Sequence, residues 1–302
     1  MEHYQNLTAR LQEAGIPCKE QEPLAAHTTF KIGGPAAVFV QPADEAQLCQ
    51  AVRLCRELAV PCYLLGNGSN ILFGDRGYAG AVVSLAGMKG EVRREGNTLT
   101  APAGMPLSVL CTAALRAGLT GLEFAYGIPG TVGGAVYMNA GAYGGEMKDV
   151  LVSVRYLTAE GQIVEAPAAE LDLGYRHSVF ESNGGCILSA AVRLAPGNPE
   201  AIAARMDDLM GRRRDKQPLD KPSAGSTFKR PAGAFAGALI EQCGLRGYRH
   251  GGAAISEKHC GFVVNLGGAT CADVLALCAE VQKIVKEQTG FTLEKEIRVV
   301  EL

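Results

Sequence analysis

Two glycine-rich stretches are the first parts of this sequence whose residue types and spacing are suited to chemistry. In the first, LGNGSNIL (65–72), Asn67 and Gly68 can both take positive φ, so that neighbouring backbone N–H groups converge on an anion such as a phosphate. Taken alone, Asn-Gly between apolar runs more often forms an ordinary hairpin turn. A dinucleotide-binding turn of the Rossmann type needs a helix directly behind the glycines, whereas the strand-like ILF follows here. A pyrophosphate at this turn would therefore be held by loop amides.

The second stretch, GIPGTVGGAVYMNAGAYGG (127–145), is predicted to be a long structured loop, since its glycines fit neither a helix nor a strand. Gly127, Gly130, Gly133 and Gly134 remove side chains over a short span, which lets the main chain approach a flat or multiply charged group. Two such loops in one region favour one large cofactor that is touched at two places. A pair of irregular sheet or barrel corners is the alternative.

The composition indicates a globular protein and excludes several classes of function. Of the 302 residues, 47% are hydrophobic and 20% are charged, and the formal net charge is -2. We therefore expect no nucleic-acid or membrane partner and predict no protein partner. The polar N-terminus lacks the apolar run of a signal peptide. The ten cysteines include no Cys-x-x-Cys pair, so we predict no metal site, free core thiols and a cytoplasmic location.

One dense basic run allows two interpretations. It consists of Arg212, Arg213, Arg214 and Lys216. These cations could form the solvated end of a helix, where they would face the negative end of the helix dipole. They could equally form an anion site, and the run alone does not decide between the two.

Hydrophobic periodicity and turn residues divide the chain into two α+β domains. In the first domain we predict helices at 7–14, between 42 and 61 and at 106–117. The predicted strands are AAVFVQP, CYLL, ILF and CILSAAVRL, and the predicted hairpins lie in VRREGNTLTAP and VLVSVRYLTAEGQIVEAP. The best candidate linker is APGNPE (195–200). Beyond it we predict helices up to about 216, at 235–243 and at 271–288, with strands GFVVNL and EIRVVEL. The predicted domains are 1–197 and 198–302.

Seven motifs in a fixed order give the chain a specific resemblance. They are HTTFKIGGPA, LGNGSNIL, GIPGTVGGAVYMNAGAYG, YRHSVF, SAGSTFKRP, SEKHCGFVVN and LEKEIR, and together they span nearly the whole length. In these motifs the chain resembles the UDP-N-acetylenolpyruvoylglucosamine reductase family, flavoenzymes that complete UDP-N-acetylmuramic acid in bacterial cell-wall synthesis. It is similar to the shorter subgroup, which lacks an inserted tyrosine-bearing loop over the substrate.

The resemblance implies an α+β fold, with a two-part FAD-binding domain of the vanillyl-alcohol-oxidase-like type up to residue 197 and a C-terminal α+β substrate-binding domain. We expect non-covalent FAD, because no histidine or cysteine lies in an obvious linking position beside the two loops. The pyrophosphate would lie on GNGSN, and residues 127–143 would follow the flavin and ribityl chain. The implied FAD-binding residues are Gly66, Asn67, Gly68, Ser69, Asn70, Gly127, Ile128, Gly130, Thr131, Gly133, Asn139 and Arg176.

The implied reaction is the reduction of UDP-N-acetylglucosamine enolpyruvate to UDP-N-acetylmuramate. NADPH would reduce FAD, and the reduced flavin would deliver a hydride to C3 of the substrate. Negative charge then moves into the substrate carboxylate, where Arg176 matches the family's clamping arginine. Glu296 matches the acidic partner, which must carry a proton to donate a hydrogen bond there, and Ser226 matches the proton donor to C2. Glu294 is the alternative to Glu296, because residues two apart share a strand face.

Contacts to the UDP-sugar are also implied by the resemblance. Lys216 matches a lysine that contacts the diphosphate, and Lys229 with Arg230 adds positive charge near the proton donor. Arg230 departs from the family, many of whose members carry asparagine there. Tyr175, beside the clamping arginine, is either a substrate contact or a packing residue. His177 receives no role, because neighbours in a strand point in opposite directions.

Two other functions stay open on the residues alone. An FAD oxidase of a small alcohol or sugar would explain both glycine-rich loops but not the Ser226 and Glu296 segments. A non-catalytic binder of UDP-sugars or nucleotides would tolerate the loss of Arg176. Considered singly, Arg176 also fits a surface ion pair, Ser226 a loop hydroxyl and Glu296 a strand-end charge.

Overall fold

The computed structural model describes residues 2–88 and 90–301. The helices are α1 Glu2–Glu13, α2 Glu45–Glu57, α3 Leu107–Arg116, α4 Val132–Tyr137, α5 Pro199–Lys216, α6 Ala236–Gln242 and α7 Cys271–Thr289. The strands are β1 Cys18–Pro23, β2 Pro35–Val40, β3 Cys62–Leu65, β4 Ile71–Phe73, β5 Tyr78–Ser84, β6 Arg93–Glu95, β7 Thr98–Pro102, β8 Leu119–Thr120, β9 Gly141–Ala142, β10 Gly145–Glu146, β11 Leu151–Leu157, β12 Ile163–Pro167, β13 Cys186–Arg193, β14 Ala195–Pro196, β15 Ser223–Ser226, β16 Arg249–His250, β17 Ala253–Ile255, β18 Phe262–Asn265 and β19 Arg298–Val300.

The chain forms two compact units, and each unit is assembled from three separate segments. Unit 1 comprises Met1–Glu20, Val38–Asn67 and Gly80–Arg213, and unit 2 comprises Gln21–Ala37, Gly68–Ala79 and Arg214–Leu302. Each unit has its own apolar core, because its buried side chains pack with one another. The division of the chain into FAD-binding and substrate-binding domains at residue 197 stays a prediction, since compactness alone assigns no ligand to a unit.

Unit 1 contains a five-stranded antiparallel sheet in the order β12-β11-β13-β7-β6. Its two outer pairs are the predicted hairpins, β6 with β7 and β11 with β12, and β13 is the predicted strand CILSAAVR. Alternate residues of β7 are buried, as expected of a strand with one face on the core. The buried residues of β11 are instead three apart, at Leu151, Val154 and Leu157, and its pairing with β13 has two register shifts. The predicted hairpins and the predicted strand are confirmed.

The segment APGNPE is not the linker that its proline and glycine content predicts. Ala195 and Pro196 form β14, which pairs with Thr120 and Leu119 of β8. The N–H of Gly197 then donates to the carbonyl of Gly118, and α5 begins at Pro199. The same residues that break regular structure in a linker also serve at an edge strand and at the first turn of a helix.

The two strands on either side of GNGSN lie in different sheets. Strand β3 runs parallel to β5 in a four-stranded sheet of order β1-β2-β5-β3, whereas β4 runs parallel to β19. The hairpin alternative for this turn is therefore wrong. The turn instead carries the chain out of unit 1 at Asn67 and into unit 2 at Gly68.

The stretch 127–145 is not an unbroken loop, because α4 occupies its centre. Thr131 caps this helix, and its hydroxyl accepts the N–H of Gly134 at 3.2 Å. Gly133 packs so closely on Ala103 that a Cβ there would lie 2.8 Å from the Ala103 Cβ. Gly133 thus allows close contact with Ala103, the residue after β7. Because glycine is a poor helix former, Gly133 and Gly134 kept this six-residue helix from being predicted.

Unit 2 contains an antiparallel sheet of order β15-β18-β17-β16, on which α7 packs. A capping box of Thr270 and Asp273 begins α7, and Gly290 at φ +78° ends it. The Asp75 carboxylate also accepts the N–H groups of Cys271 and Ala272, at 2.6 and 3.0 Å. The segment before β5 is thereby fixed to the first turn of this helix.

The cysteines are free thiols, and seven of the ten are buried. Burial raises the pKa of Cys111, Cys186 and Cys278 to about 12, so these thiols stay protonated and unreactive at neutral pH. The prediction of cysteines as small core residues is confirmed for this buried majority.

Among the described residues, no group of histidine, cysteine and carboxylate side chains could hold a metal ion, and no helix has the length and apolar character needed to span a bilayer.

The turn before β5 provides a test of the packing in unit 2. Gly77 has φ +86°, and a Cβ there would overlap the carbonyl oxygen of Pro35. We expect Gly77→Ala to lower the free energy of unfolding by about 2 to 4 kcal/mol, as measured by equilibrium urea denaturation. Gly87, at φ +89° with nothing within 4 Å of its Cβ position, is the matched control. Gly87→Ala should lose only about 1 kcal/mol, and equal losses in the two variants would contradict the packing described here.

Candidate active site

The turn GNGSN has one residue with positive φ, Gly68 at +60°, and Asn67 does not share that conformation. A Cβ at position 68 would overlap the carbonyl oxygen of His27, so only glycine fits. The carbonyl of Gly68 accepts the N–H of Thr29 at 3.1 Å, and the Thr29 hydroxyl donates to the carbonyl of Ser223 at 2.7 Å. Within unit 2, the turn is thus joined to the segment that leads to Ser226.

The N–H groups of this turn fit an anion. Among the residues that the structure describes, no acceptor takes the backbone N–H of Asn67, Gly68 or Ser69. Asn67 is exposed, Gly68 is buried and Ser69 is half-buried, and the N–H of a buried residue such as Gly68 is nearly always paired. Three consecutive N–H groups on a tight turn, none with an acceptor among the described residues, favour a ligand with several acceptor oxygens. A pyrophosphate has this chemistry.

Within unit 1, Gly66 and Asn67 contact the second glycine-rich stretch. The Asn67 amide donates to the carbonyl of Pro129 at 3.1 Å. A Cβ at Gly66 would lie 2.6 Å from the hydroxyl oxygen of Thr131, the residue that caps α4. Gly130 is fixed in turn, since its carbonyl accepts the N–H of Leu107 at 2.9 Å. The structure therefore brings these predicted cofactor-binding residues of unit 1 together.

Arg213 is a candidate that motif analysis missed. A Cβ at Gly127 would lie 3.0 Å from its Cδ, so the missing side chain makes room for the arginine stem. Burial lowers the pKa of the Arg213 guanidinium, and Tyr143 acts in the opposite direction. No carboxylate of the described chain pairs with it, whereas its neighbour Arg212 pairs with Asp208 at 2.9 Å. A largely desolvated, unpaired cation beside a glycine-rich loop is suited to an anionic ligand.

Arg176 lies in a tight turn and not in a strand. Gly174 and His177 exchange backbone hydrogen bonds of 3.1 and 3.3 Å, which leaves Tyr175 and Arg176 at the tip, with Arg176 at φ +56°. The guanidinium donates to the carbonyl of Gly141 at 3.3 Å and lies 5.0 Å from the centre of the Tyr175 ring. The argument from strand alternation that gave His177 no role is therefore wrong.

The side chain of Asn139 holds this turn in place within unit 1. Its side chain is fully buried, and its amide nitrogen donates to Glu146 at 2.8 Å and to the carbonyl of Gly174 at 2.9 Å. Its side-chain oxygen accepts the N–H of Lys148 at 2.9 Å. The side chain of Asn139 thus uses its polar atoms inside unit 1, and its assignment to cofactor binding stays a prediction.

In unit 2, Ser226 ends strand β15 immediately after a β-bulge. Ser223 pairs with Val264 and Ser226 with Phe262, so three steps along β15 match two steps along β18. Gly225, at φ +79°, takes up the extra residue. Ser226 is exposed while Thr227 behind it is buried, and no described residue hydrogen-bonds to the Ser226 hydroxyl. The bulge thereby presents an exposed hydroxyl from a fixed strand.

Glu296 lies next to this strand end. Thr227 accepts the N–H of Glu296 at 2.8 Å, and the hydroxyl of Thr227 accepts the N–H of Val263 at 2.8 Å. The Asn70 amide donates to the carbonyl of Glu296 at 3.4 Å. The structure therefore brings Asn70, Ser226 and Glu296 into one part of unit 2. Arg176 belongs to unit 1.

The remaining predicted residues have partners of different kinds. Lys229 donates to Glu294 at 3.5 Å, and the side chain of Glu294 is 72% exposed. The guanidinium of Arg230 lies 4.3 Å from the ring centre of Phe235, an exposed aromatic residue. Lys216 is the exposed last residue of α5. These cations lie on the surface of unit 2, where they could meet an anionic substrate.

Two family models match separate parts of the chain, and curated relatives match nearly its whole length. Residues 36–167 match the family described as FAD binding domain, and residues 217–300 match the family described as UDP-N-acetylenolpyruvoylglucosamine reductase, C-terminal domain. The UDP-N-acetylenolpyruvoylglucosamine reductase of Lachnoclostridium phytofermentans is 50% identical over 92% of this chain and 91% of its own length. That of Clostridioides difficile is 47% identical over 98% of this chain and 97% of its own length.

A solved structure gives the same result for the fold. The crystal structure of UDP-N-acetylenolpyruvylglucosamine reductase from Thermus caldophilus aligns with a TM-score of 0.79 and 36% identity, covering 95% of this chain and 99% of that one. The predicted α+β fold, with an FAD-binding domain and a further C-terminal domain, is confirmed. The chain belongs to the UDP-N-acetylenolpyruvoylglucosamine reductase family, and it is an FAD-dependent oxidoreductase.

Proposed function

We propose that this enzyme reduces UDP-N-acetylglucosamine enolpyruvate to UDP-N-acetylmuramate with NADPH, as a cytoplasmic step of peptidoglycan precursor synthesis. The observation that carries the proposal is the neighbourhood of Ser226 and Glu296. The β-bulge presents the hydroxyl, and the backbone of Thr227 holds the glutamate beside it. A hydroxyl and a carboxyl group on one rigid support are suited to a proton transfer and to a charge-stabilising hydrogen bond. The free buried thiols suit a reducing compartment.

Several groups of this chain fit FAD. When bound, FAD supplies hydride chemistry, accepting a hydride from NADPH and delivering it to C3 of the enolpyruvyl group. The free N–H groups of Asn67, Gly68 and Ser69 would hold the pyrophosphate, and the side chains of Ser69 and Asn70 would add to them. The loop from Gly127 to Tyr143 would follow the flavin through the predicted residues Gly127, Ile128, Gly130, Thr131, Gly133 and Asn139.

Arg176 would bind the carboxylate of the substrate. Its planar guanidinium suits a two-point hold on a carboxylate, and one of its N–H groups donates to the carbonyl of Gly141. Its permanent charge stabilises the negative charge that reaches the carboxylate as C3 accepts the hydride. Tyr175, stacked beside it and 52% exposed, would cover the same end of the substrate.

Glu296 and Ser226 would complete the reaction. A protonated Glu296 donates a hydrogen bond to the second oxygen of the carboxylate, and the Ser226 hydroxyl gives its proton to C2. The choice of Glu296 over Glu294 is supported by the partners of Glu294, which is mostly exposed and pairs with Lys229. Polarisation of the Ser226 hydroxyl would come from the bound ligands, since none of the described side chains bonds to it.

The UDP part of the substrate carries two phosphates and needs cations. Lys216 would contact the diphosphate, and Lys229 and Arg230 would add positive charge beside the strand that carries Ser226. Arg230 is already oriented by the ring of Phe235. These assignments rest on position and charge together.

The purified protein tests the proposed function directly. We expect a yellow protein with a flavin spectrum whose NADPH consumption depends on added UDP-N-acetylglucosamine enolpyruvate. A yellow protein that consumes no NADPH with this substrate, and that instead oxidises a small alcohol or sugar with reduction of O2, would support an FAD oxidase. A colourless protein that still binds UDP-sugars would contradict the enzyme.

Ser226→Ala separates the two half-reactions. We expect flavin reduction by NADPH to be unchanged, while reoxidation by the substrate slows by about 10²- to 10⁴-fold, because the proton donor to C2 is lost. Stopped-flow absorbance of the flavin measures both steps. Ser223→Ala, in the same strand, should leave both steps unchanged. Equal damage to both steps in Ser226→Ala would contradict the role of the hydroxyl.

Arg213→Gln tests the cation beside Gly127. We expect FAD binding to weaken by about 1.5 to 3 kcal/mol, because a desolvated charge-assisted hydrogen bond to the cofactor is removed. Fluorescence titration of the apoprotein with FAD measures this change. Arg212→Gln removes a neighbouring arginine whose partner is Asp208 and should leave the affinity unchanged. Equal affinities of the two variants would place the anionic ligand of Arg213 elsewhere.

A further inference from the structure

The turn that carries Arg176 needs external support. Arg176 has φ +56°, and Asp172, four residues earlier, has φ +46°. The left-handed conformation is unfavourable for residues other than glycine, so the surrounding structure must hold these two in place. The two backbone hydrogen bonds between Gly174 and His177 close the turn but do not fix it to the rest of unit 1.

Asn139 and His177 support the two ends of the turn, in addition to the buried Ser178, whose hydroxyl donates to the carbonyl of Tyr137 at 2.7 Å. At the first end, the buried Asn139 amide donates to the carbonyl of Gly174 at 2.9 Å. At the second end, the ring of His177 contacts two carboxylates, with Nε2 at 3.0 Å from Asp172 and Nδ1 at 3.0 Å from Glu181. Glu181 belongs to the short 3-10 helix Val179–Glu181, so the histidine joins the turn both to the segment before it and to the element after it.

Both contacts exist as hydrogen bonds only when the imidazole is protonated. A neutral imidazole has one N–H donor, whereas the imidazolium has two, one for each carboxylate. Among the described residues, the charged side chains that act on this ring are those of Glu181 and Asp172. Both raise the pKa of His177, and Glu181 has the larger effect. Because the pKa is raised, both bonds are present below the ordinary histidine pKa of about 6.5, and one is lost as the pH rises through the raised value.

We propose that His177, held between Asp172 and Glu181, is a positioning residue that keeps Arg176 in the conformation in which it binds the substrate carboxylate. The inference rests on the proposed role of Arg176 and goes beyond it, since it assigns a function to a residue that touches neither the substrate nor the cofactor. Loss of one of the two ring contacts weakens the support of one end of the turn, where Ser178 remains bonded to Tyr137, and shifts the guanidinium. Substrate-dependent steps then slow, whereas flavin reduction by NADPH involves no substrate carboxylate for the guanidinium to bind.

His177→Gln tests the positioning role. We expect the variant to slow flavin reoxidation by the substrate about tenfold at pH 6, with flavin reduction by NADPH unchanged. At a pH above the raised pKa, the difference from the unmodified enzyme becomes smaller, because there the natural side chain has also lost one donor. His250→Gln is the matched control, since His250 is equally exposed and pairs with the carboxylate of Glu280 at 2.8 Å in unit 2. It should leave both steps unchanged.

Glu181→Gln tests the role of the charge. The ring of His177 should titrate at lower pH in this variant, as followed by NMR of the imidazole, because the group with the larger effect on its pKa is neutralised. The basic limb of the pH profile of substrate-dependent reoxidation should move in the same direction. A limb that stays in place while the ring titration moves overturns the proposal, since a purely structural histidine would give that result.

Arg176→Lys distinguishes a failure of the positioning role from a failure of the proposed function. If Arg176→Lys strongly slows flavin reoxidation by the substrate and His177→Gln does not, the positioning role of His177 is wrong and the proposed function of Arg176 stands. If Arg176→Lys leaves reoxidation intact, the carboxylate-binding role itself is wrong, and the inference about His177 falls with it. A similar loss in both half-reactions of His177→Gln also overturns the proposal, because it indicates general damage to unit 1.

Discussion

The backbone at Gly68 is the constraint on which the arrangement of the site depends. It has a φ of +60°, and the His27 carbonyl leaves no space for a side chain there. Its own carbonyl holds Thr29, whose hydroxyl holds Ser223 at the start of the strand that ends in the proposed proton donor. One glycine conformation thereby underlies both the turn proposed to bind the pyrophosphate and the support of Ser226.

Exposed functional groups in both units are attached to buried, fully bonded polar residues. Thr227 is 1% exposed and joins β18 to the segment of Glu296, while Asn139 is fully buried and fixes the turn of Arg176. A satisfied buried hydrogen-bond network is rigid, since breaking it leaves unpaired polar groups in a medium of low dielectric constant. Such supports are what a reaction needs when its charge develops at fixed positions.

Sequence patterns predicted the regular parts of the fold and the motifs of the site, because alternation, helical periodicity and turn residues act locally. These patterns failed where contacts with distant parts of the chain determine the local structure. The glycines of α4 are used for contact with Ala103, and APGNPE pairs as an edge strand. A positive φ at Arg176 has no signal in a residue other than glycine. Arg213 could be recognised only once its packing against Gly127 was known, since its neighbours in the basic run have the same charge.

The bulge at Gly225 has a consequence for how sequences of this kind can vary. Side chains alternate along a strand, so residues 223 and 226 would face opposite ways in an unbroken ladder, yet here they match two positions of β18 that are only two apart. The extra residue of the bulge returns Ser226 to the strand face that Ser223 occupies. A deletion of one residue between 223 and 226 would leave both serines opposite the same partners on β18, but it would remove the bulge and with it the local bend and added twist of the strand end. A second deletion would turn the serine to the opposite face of the sheet. The number of residues in this short segment therefore constrains the direction of the hydroxyl as strictly as the residue type at 226 does.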